Sequence, residues 1–348
     1  MLKVKNVFLY VTVGYFLLIA SGCAVTEKAV AKKRPPDPFK QNEHLGRGIN
    51  LGNALEAPRE GEWGVTLKEE YFKIIKEAGF DSVRIPICWS AHALKEPPYT
   101  IDSAFFDRVD WAIANALKND LYVMINIQHY RELTNDPDAH SERFLGLWKQ
   151  IAEHYKDYPD TVLFELLNEP DDALTAELWN GLLKKAMAIV RESNPRRTIV
   201  IDPAEDAVIE WLEKLEIPEE DRNIIVSIHY YSPLEFTHQG AEWMGERSKA
   251  WMGTKWTGTE KEKQVITKTF NSAARWAKKH NRPINLGEFG AYEKAGMDNR
   301  VCWTAFVAKS AVKHGFSIAY WEFCHANFGA YDQQKKAWRE PLLKAIIP

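Results

Sequence analysis

The chain has 348 residues, of which 45 % are hydrophobic, and a formal net charge of −3. This length allows one large or two smaller domains with a buried core, and the slight negative charge gives no basic surface for a nucleic acid. The four cysteines show no CxxC spacing and no HExxH motif is present, which excludes a disulfide framework and a metal site of those types.

The first 22 residues have the pattern of a signal peptide. Lys3 and Lys5 precede an apolar run, residues 7–20, which is shorter than a membrane-spanning helix. Residues 20–23, ASGC, resemble the lipoprotein box of bacteria, in which the cysteine carries the lipid. We therefore expect a secreted protein, periplasmic or at the cell surface, that only the lipid on Cys23 holds to the membrane. Soluble secretion is the alternative.

A tether is predicted to follow, over residues 23–42. The segment 24–40 contains three prolines and little hydrophobic pattern, a composition typical of linkers. We expect the folded domain to occupy residues 43–348.

From residue 45 onward the chain alternates apolar runs, typical of buried strands, with amphipathic stretches, typical of helices. The predicted strands are 46–51, 82–87, 122–127, 162–167, 198–201, 224–228, 284–286 and 317–321. The predicted helices are 67–78, 104–119, 142–155, 176–192, 207–215, 260–280, 300–314 and 334–347. Eight strand–helix units over about 300 residues predict an α/β fold of the (β/α)8 TIM-barrel type.

A doubly wound nucleotide-binding sheet is the competing α/β architecture. It would need a glycine-rich phosphate turn after the first strand. The candidate GRGINLGN has Leu51 where the third glycine of that fingerprint belongs. The spacing therefore excludes the nucleotide-binding interpretation.

Polar side chains occur at the ends of most predicted strands. Because the carboxyl ends of barrel strands form one mouth, we expect these side chains to lie together. They are Asn53 and Glu56 after the first strand, Arg84 in the second, Gln128 and His129 after the third, Asn168 and Glu169 after the fourth, His229 and Tyr231 after the sixth, Glu288 after the seventh and Trp321 in the eighth. Structural roles remain open for some: Arg84 could pair with Glu165 in the core, and either histidine could be satisfied within the barrel.

Glu169 and Glu288 form a pair suited to glycoside hydrolysis. That reaction needs one carboxylic acid to protonate the leaving oxygen and one carboxylate to meet the anomeric carbon. Arg84 and Tyr231, if they contact Glu288, would favour its ionised form, as a nucleophile requires. Glu169 must be protonated for part of the cycle, so we expect its pKa to be raised.

Several motifs together resemble glycoside hydrolase family 5, and most closely its subfamily 25 of bacterial endoglucanases. They are LGRGINLGNALEAP, GEWGV, AGFDSVRIPICW, ELLNEP, SIHYYSP, FTHQGAEW, GEFGAY and AYWEF, from residue 45 to the C-terminus. The resemblance implies that Glu169 is the acid/base and Glu288 the nucleophile. It also implies a sugar site lined by Arg84, His129, Asn168, His229, Tyr231 and Trp321, with Asn53 and Glu56 bordering its glycone side.

Two departures from the family pattern bear on the choice of sugar. Relatives commonly end the third strand with two histidines, whereas the first is Gln128 here. They also often carry an aromatic residue after the fifth strand, where this chain has AEDA at residues 204–207. Because residues that bind hydroxyls separate glucan from mannan, a glucan or mannan preference stays open.

The segment 232–259 is a long loop after the sixth strand. It carries Trp243, Trp251 and Trp256, and long loops of this kind on a barrel are usually functional. We expect one of these tryptophans to pack the loop and one to reach substrate. Trp63, in the loop after the first strand, could take either role.

The sequence thus predicts a monomeric, retaining endo-β-1,4-glucanase that acts on β-linked polysaccharide without a metal or organic cofactor. A β-mannanase or dual-specificity enzyme on the same residues is one alternative. A lipoprotein that binds polysaccharide without cutting it is another, but it would have no use for the glutamate pair. A Schiff-base aldolase would need a lysine inside a strand, and none of the eight predicted strands has one.

Overall fold

The structure is a computed structural model that describes residues 35–347, and in it eight parallel strands close into a barrel. Each strand pairs with the next along the chain, and the last pairs with the first. The strands are β1 (Arg47–Asn50), β2 (Ser82–Ile85), β3 (Tyr122–Asn126), β4 (Val162–Glu165), β5 (Ile199–Ile201), β6 (Ile224–Tyr230), β7 (Ile284–Phe289) and β8 (Ser317–Tyr320). The predicted TIM barrel is confirmed.

The longer helices surround the barrel and bury their apolar faces against it, and shorter ones lie at its ends and in its loops. They are α1 (Pro38–Leu45), α2 (Glu69–Glu77), α3 (Ser103–Lys118), α4 (Arg131–Asn135), α5 (Pro137–His154), α6 (Ala176–Ser193), α7 (Leu234–Thr237), α8 (Glu246–Ala250), α9 (Glu260–His280), α10 (Met297–Lys313) and α11 (Glu340–Ile346). The long α9 begins where predicted because Thr259 and Glu262 form a reciprocal capping box.

The interior of the barrel changes from apolar to polar along the strands. Leu45, Met124, Leu163, Val200 and Ile225 form an apolar layer inside the barrel. Side chains alternate along a strand, so the residues two positions further on point to the same side. In three of these strands those residues are Asn126, Glu165 and Asp202, all buried. A polar layer therefore lies directly above the apolar one, on the side of the mouth.

The helix α1 closes the opposite end of the barrel. Its Leu45 belongs to the inner apolar layer, and its buried Asn42 accepts a hydrogen bond from Ser317 Oγ at 2.7 Å. Pro38 starts the helix and Asp37 caps it by accepting the Phe39 N–H at 2.9 Å. The structure adds a helix that begins at Pro38, five residues before the predicted boundary at residue 43.

The C-terminal helix is shorter than predicted. Residues 334–338 were expected to be helical, but Tyr331–Asp332 and Ala337–Trp338 pair as a short antiparallel hairpin, β9 and β10. Asp332 holds its turn by accepting the N–H groups of Gln334 and Lys335, and the helix α11 starts only at Glu340. The segment predicted as a short helix at 207–215 is a 3-10 helix at Ile209–Lys214.

The predicted signal peptide and the predicted lipidation site, Cys23, lie outside the described residues. Among residues 35–347, no helix combines the length and the hydropathy needed to cross a membrane.

Candidate active site

The mouth of the barrel holds a cavity of about 790 Å³. Most of the predicted site residues line it, namely Asn53, His129, Glu169, His229, Tyr231, Glu288 and Trp321, and Gln128 lines it too. The carboxyl ends of the strands thus bring together side chains that are up to 268 residues apart in the chain (321 − 53).

The carboxyl groups of Glu169 and Glu288 face each other at the floor of the cavity. One oxygen of each, together with His229 Nδ1, lie within 4.8 Å of one another. The Nδ1 atom is 2.7 Å from Glu169 Oε1 and 3.9 Å from Glu288 Oε2. Two carboxyl groups this close disfavour double ionisation, so one tends to hold a proton while the other is charged.

A bulge in β7 directs Glu288 into the barrel. Leu286 and Phe289 both pack in the large core that includes the helices, so plain alternation would have sent Glu288 to that side as well. The register shifts between Leu286 and Phe289, and Gly287 leaves no room for a side chain because a Cβ there would lie 2.4 Å from Ser227 Oγ. The bulge therefore makes Glu288 an interior residue.

Glu288 is held by two hydrogen-bond donors. Arg84 Nη1 donates to its Oε1 at 2.7 Å and the Tyr231 hydroxyl donates to its Oε2 at 2.8 Å, as the sequence predicted. Burial raises the pKa of Glu288, whereas the Arg84 guanidinium acts in the opposite direction. Both donors favour the ionised carboxylate, so Glu288 is the member of the pair that is equipped to be charged.

Glu169 has a weaker set of partners and is more open to the cavity. Its side chain is 28 % exposed, against 5 % for Glu288. The Asn168 amide donates to Glu169 Oε2 at 3.3 Å. Burial raises the pKa of Glu169 to about 7. A carboxyl group that titrates near neutrality and faces a cavity can act as acid in one step and as base in the next.

Arg84 is the centre of the polar layer. Its Nε and Nη2 each donate to Glu165 at 2.6 Å, Nη1 also donates to Asn50 at 2.8 Å, and Nη2 donates to Asn168 at 2.7 Å. Burial opposes its charge, but Glu165 and Glu288 hold the pKa of Arg84 well above its ordinary value. Both predicted partners, Glu165 and Glu288, are therefore present. Arg84 is 1 % exposed, so the prediction that it lines the sugar site is corrected: it positions residues that do.

We expect Arg84→Ala to lower the free energy of unfolding by about 3–5 kcal/mol, because it leaves Glu165 and Glu288 buried without their cation. Urea unfolding monitored by tryptophan fluorescence measures this. The matched control is Arg59→Ala, which breaks an ion pair whose arginine side chain is 84 % exposed and should cost less than about 1 kcal/mol. Equal effects of the two variants would contradict the role assigned to Arg84.

Glu56 does not line the cavity, and its predicted contact with substrate is corrected. It is 1 % exposed, and its carboxylate accepts the backbone N–H groups of Asn53 and, at 2.9 Å, of Ala54. These bonds close the turn after β1 and support Asn53, whose φ of 63° is in the left-handed region. Burial raises the pKa of Glu56 to about 7. Its role is to shape the turn that presents Asn53.

The structure adds site residues that the sequence analysis did not single out. Asp202 follows β5 and is fully buried beside Glu169, and Glu322 follows Trp321 and is fully buried, with a pKa that burial raises to about 8. His238 and Phe328 line the cavity from the loops after β6 and β8. The signal for Asp202 was its position at a strand end, the same criterion that identified Glu169.

Two tryptophans of the long loop have different surroundings, and one of them packs the loop as expected. Trp256 is buried and packs against Phe306, which anchors the loop. Trp243 is 56 % exposed on the cavity wall beside Tyr292 and Phe328. Trp63 also lines the cavity, edge-on to His129. A contact of Trp243 or Trp63 with substrate stays a prediction.

Two sets of residues have the spacing of metal ligands. Glu165, Asp202 and His229 offer donor atoms within 4.8 Å of one another, and so do Glu169, His229 and Glu288. In the first set, the Arg84 guanidinium already neutralises Glu165 at 2.6 Å and would repel a cation. The second set is the carboxyl pair itself. That the chemistry needs no metal or organic cofactor stays a prediction.

The chain matches the model of a known family, described as cellulase (glycosyl hydrolase family 5), over residues 43–327. It is 35 % identical over 296 residues to endoglucanase H of Acetivibrio thermocellus, which covers 85 % of this chain and 31 % of that protein. It is 30 % identical over 336 residues to the cellulase/esterase CelE of the same organism, covering 91 % and 40 %. The chain thus spans less than half the length of these two curated relatives.

Solved structures support the same relationship. Endoglucanase Cel5A from Thermotoga maritima is 55 % identical, with a TM-score of 0.87 over 89 % of this chain and 100 % of that chain. Structures of that protein include complexes with cellobiose and with mannotriose. Since the family model covers most of the sequence, and the fold and the paired carboxyl groups agree with it, the chain belongs to glycoside hydrolase family 5.

Proposed function

We propose that this protein is a retaining endo-β-1,4-glucanase of subfamily 25 that hydrolyses β-glucan polysaccharides. The observation that carries the proposal is the Glu169–Glu288 pair, with oxygens within 4.8 Å at the floor of an open cavity. Retaining glycosidases hold their two carboxyl groups about 5–5.5 Å apart, whereas inverting ones need about 6.5–9.5 Å to admit a water. The pair is therefore close enough for a covalent intermediate.

The surroundings of the two carboxyl groups assign their roles. In the first step Glu288 attacks the anomeric carbon while Glu169 gives its proton to the glycosidic oxygen, and the leaving sugar departs. In the second step the Glu169 carboxylate takes a proton from water, and that water displaces Glu288 from the sugar. Arg84 and Tyr231 stabilise Glu288 as the anion before attack and as the leaving group afterwards.

We propose that other residues of the site bind the sugar. Asn168 spends one N–H on Glu169 and keeps a second for the 2-hydroxyl, a contact that strengthens in the transition state. Trp321 offers an aromatic face for a sugar ring, and Gly52 makes room for it, since a Cβ at position 52 would lie 3.0 Å from its ring. His129 and Asn53 complete the polar lining.

The rate should depend on pH through Glu169. Its pKa of about 7 means that the acid form is lost as the pH rises, so kcat/KM should fall about tenfold per pH unit above that value. The measurement is kcat/KM for phenyl β-cellobioside between pH 4 and 9. Glu169→Gln, assayed with the same phenyl substrate, is the control and should lack this limb at its lower rate. An alkaline limb centred below pH 5.5 would contradict the assignment of the acid.

A mannan-active or dual-specificity enzyme is the second candidate. Gln128 lines the cavity where relatives commonly have a histidine, and a 55 % identical relative has been solved with mannotriose as well as with cellobiose. An amide can donate to and accept from hydroxyl groups, so it can serve the different 2-hydroxyl orientation of mannose.

A product profile separates the two candidates. The domain from residue 35 onward is incubated with carboxymethylcellulose, mixed-linkage β-glucan, glucomannan and galactomannan, and the oligosaccharides are resolved by chromatography. A mixture of short products from the glucans supports an endoglucanase. Release from galactomannan alone would assign a mannanase, and release from both would assign dual specificity.

We also propose that the protein is an exported lipoprotein anchored through Cys23, on the strength of residues 20–23. Cys23→Ser should move the protein from the membrane fraction to the soluble one, because it removes the sulfur that carries the lipid. Fractionation followed by immunoblotting measures this. Cys302→Ser, at an exposed cysteine of the domain, is the control and should stay with the membrane. A soluble wild-type protein would contradict the anchor.

A further inference from the structure

Asp202 forms a hydrogen bond with the backbone of Glu169. It follows β5, is fully buried, and its Oδ2 accepts the Glu169 N–H at 3.1 Å. Among the described residues, no other group accepts a hydrogen bond from that N–H. Its other oxygen, Oδ1, has no hydrogen-bond partner among them.

The same carboxyl group faces His229, which contacts the Glu169 side chain. His229 Nε2 lies 3.8 Å from Asp202 Oδ2, and Nδ1 lies 2.7 Å from Glu169 Oε1. Glu169 therefore has two neighbouring partners: Asp202 accepts a hydrogen bond from its backbone N–H, and His229 shares a hydrogen bond with its carboxyl group.

The backbone of Glu169 needs such support. Its φ of 43° lies in the left-handed region, where a residue with a Cβ is strained. The hydrogen bond to Asp202 fixes the peptide that carries this angle. Without it, the N–H would be buried unpaired, and the peptide would be free to turn and carry the carboxyl group with it.

The Asp202 carboxyl group also faces the Nε2 side of His229, at 3.8 Å and without a hydrogen bond, so it biases the tautomer of that ring through the charge on its oxygen and not through a direct bond. Burial lowers the pKa of His229, so its ring is neutral and one nitrogen donates while the other accepts. An acceptor oxygen on the Nε2 side favours the proton at Nε2. Nδ1 then accepts from Glu169, which favours the protonated form of that carboxyl group.

We propose that Asp202 is a positioning residue that holds Glu169, through its peptide and through the tautomer of His229, in the orientation and protonation state of a general acid. The inference rests on the proposed function, in which Glu169 gives a proton to the leaving oxygen.

The test uses two substrates that differ only in their need for an acid. Phenyl β-cellobioside has a poor leaving group and needs protonation, whereas 2,4-dinitrophenyl β-cellobioside leaves without it. We expect Asp202→Ala to lower kcat/KM roughly 10- to 100-fold on the phenyl substrate and less than threefold on the dinitrophenyl one. Asp202→Asn keeps an acceptor oxygen and should retain most of both rates.

The pH profile provides a second readout. Without Asp202, His229 can place its proton on Nδ1 and donate to the Glu169 carboxylate, which stabilises the ionised form. The alkaline limb of Asp202→Ala should therefore move to lower pH, and that of Asp202→Asn should stay. The other charged groups that face Glu169, His229 and Asp202 are unchanged in both variants: Arg84, Arg131, Glu165, Asp171, Asp206 and Glu288.

Val200→Ala is the matched control. Val200 lies two residues earlier on β5, on the same interior face, and contacts the apolar layer rather than Glu169. It should affect both substrates equally. If Asp202→Ala does not fold, as thermal unfolding would show, Asp202→Val fills most of the same space without an acceptor and takes its place.

The outcomes separate this inference from the proposed function. Equal losses on both substrates, or an unmoved alkaline limb, would reduce Asp202 to a packing role. Glu169→Ala is assayed alongside, and if it loses both substrates equally, or if the wild type cleaves neither, the proposed function fails and the role of Asp202 fails with it.

Discussion

Replacing Glu288 with glutamine is expected to lower kcat on β-glucan by roughly 10⁴-fold or more while the protein stays folded. The amide keeps the size of the side chain and its single oxygen can still accept from Arg84 or from Tyr231, but it cannot form the bond to the anomeric carbon. The remaining rate would come from binding and from Glu169 alone. Reducing-sugar release from carboxymethylcellulose measures the loss of activity, and circular dichroism measures whether the protein stays folded.

The control for Glu288→Gln is the same change at a glutamate outside the site. Glu60 is partly buried and pairs with Arg108 at 2.7 Å, so Glu60→Gln tests the loss of a charge without touching the mouth. It should keep activity within about twofold of the wild type, as surface changes usually do. Turnover by Glu288→Gln above one part in about a hundred would remove Glu288 as nucleophile. A wild type that binds glucan but releases no sugar would instead favour the binding-only lipoprotein.

Glu169→Ala should produce the second-largest loss, and its size should depend on the leaving group. Cleavage of polysaccharide should fall roughly 10²- to 10⁴-fold because no group remains to protonate the departing oxygen. With 2,4-dinitrophenyl β-cellobioside, the glycosyl-enzyme should still form but should not be hydrolysed quickly. Added azide fits the space left by the carboxylate and needs no general base, so it should restore turnover.

The anomer of the azide product decides the mechanism. Displacement of Glu288 by azide, after a first displacement by Glu288, gives the β-glycosyl azide, which nuclear magnetic resonance identifies. An α-azide would mean a single displacement and an inverting enzyme. If azide rescued a Glu288→Ala variant as the β-anomer and a Glu169→Ala variant as the α-anomer, the two roles would have to be exchanged.

The barrel and the carboxyl pair were predictable because both depend on local sequence. Parallel strands covered on both faces give unbroken apolar runs such as residues 162–167, and their polar termini mark the mouth. Glu169 and Glu288 each follow such a run, so the fold itself places them at one end of the barrel.

The errors arose where tertiary contacts override the local pattern. Glu56 and Arg84 lie in or just after a strand, like the other site residues. Whether such a side chain faces the cavity or is buried beneath it depends on its partners elsewhere in the chain. Glu288 is interior only because of the bulge at Gly287, which reverses the alternation. Asp202 follows the predicted fifth strand, but its contact with the Glu169 backbone depends on how β4 and β5 pair, which the sequence does not show.

The helix α1 and the start of α11 were missed for the same reason. The helix α1 buries two polar residues, Gln41 and Asn42, so it lacks the apolar periodicity that predicts a helix. The partner of Asn42 is Ser317, 275 residues further along the chain. The residues before Glu340 look helical in composition, but the turn at Asp332 pairs them as a hairpin instead.

The helix α1 and the seam between β1 and β8 have a consequence for how the protein matures. Both bring the beginning of the domain into contact with its end. The packing of α1 on the barrel and the pairing of β1 with β8 therefore cannot form before nearly the whole chain has been synthesised. Contacts of such long range carry a high entropic cost and form slowly. A chain that emerges in order from its N-terminus therefore has no closed barrel at first, and the mouth that holds Glu169 and Glu288 is complete only once β8 has followed.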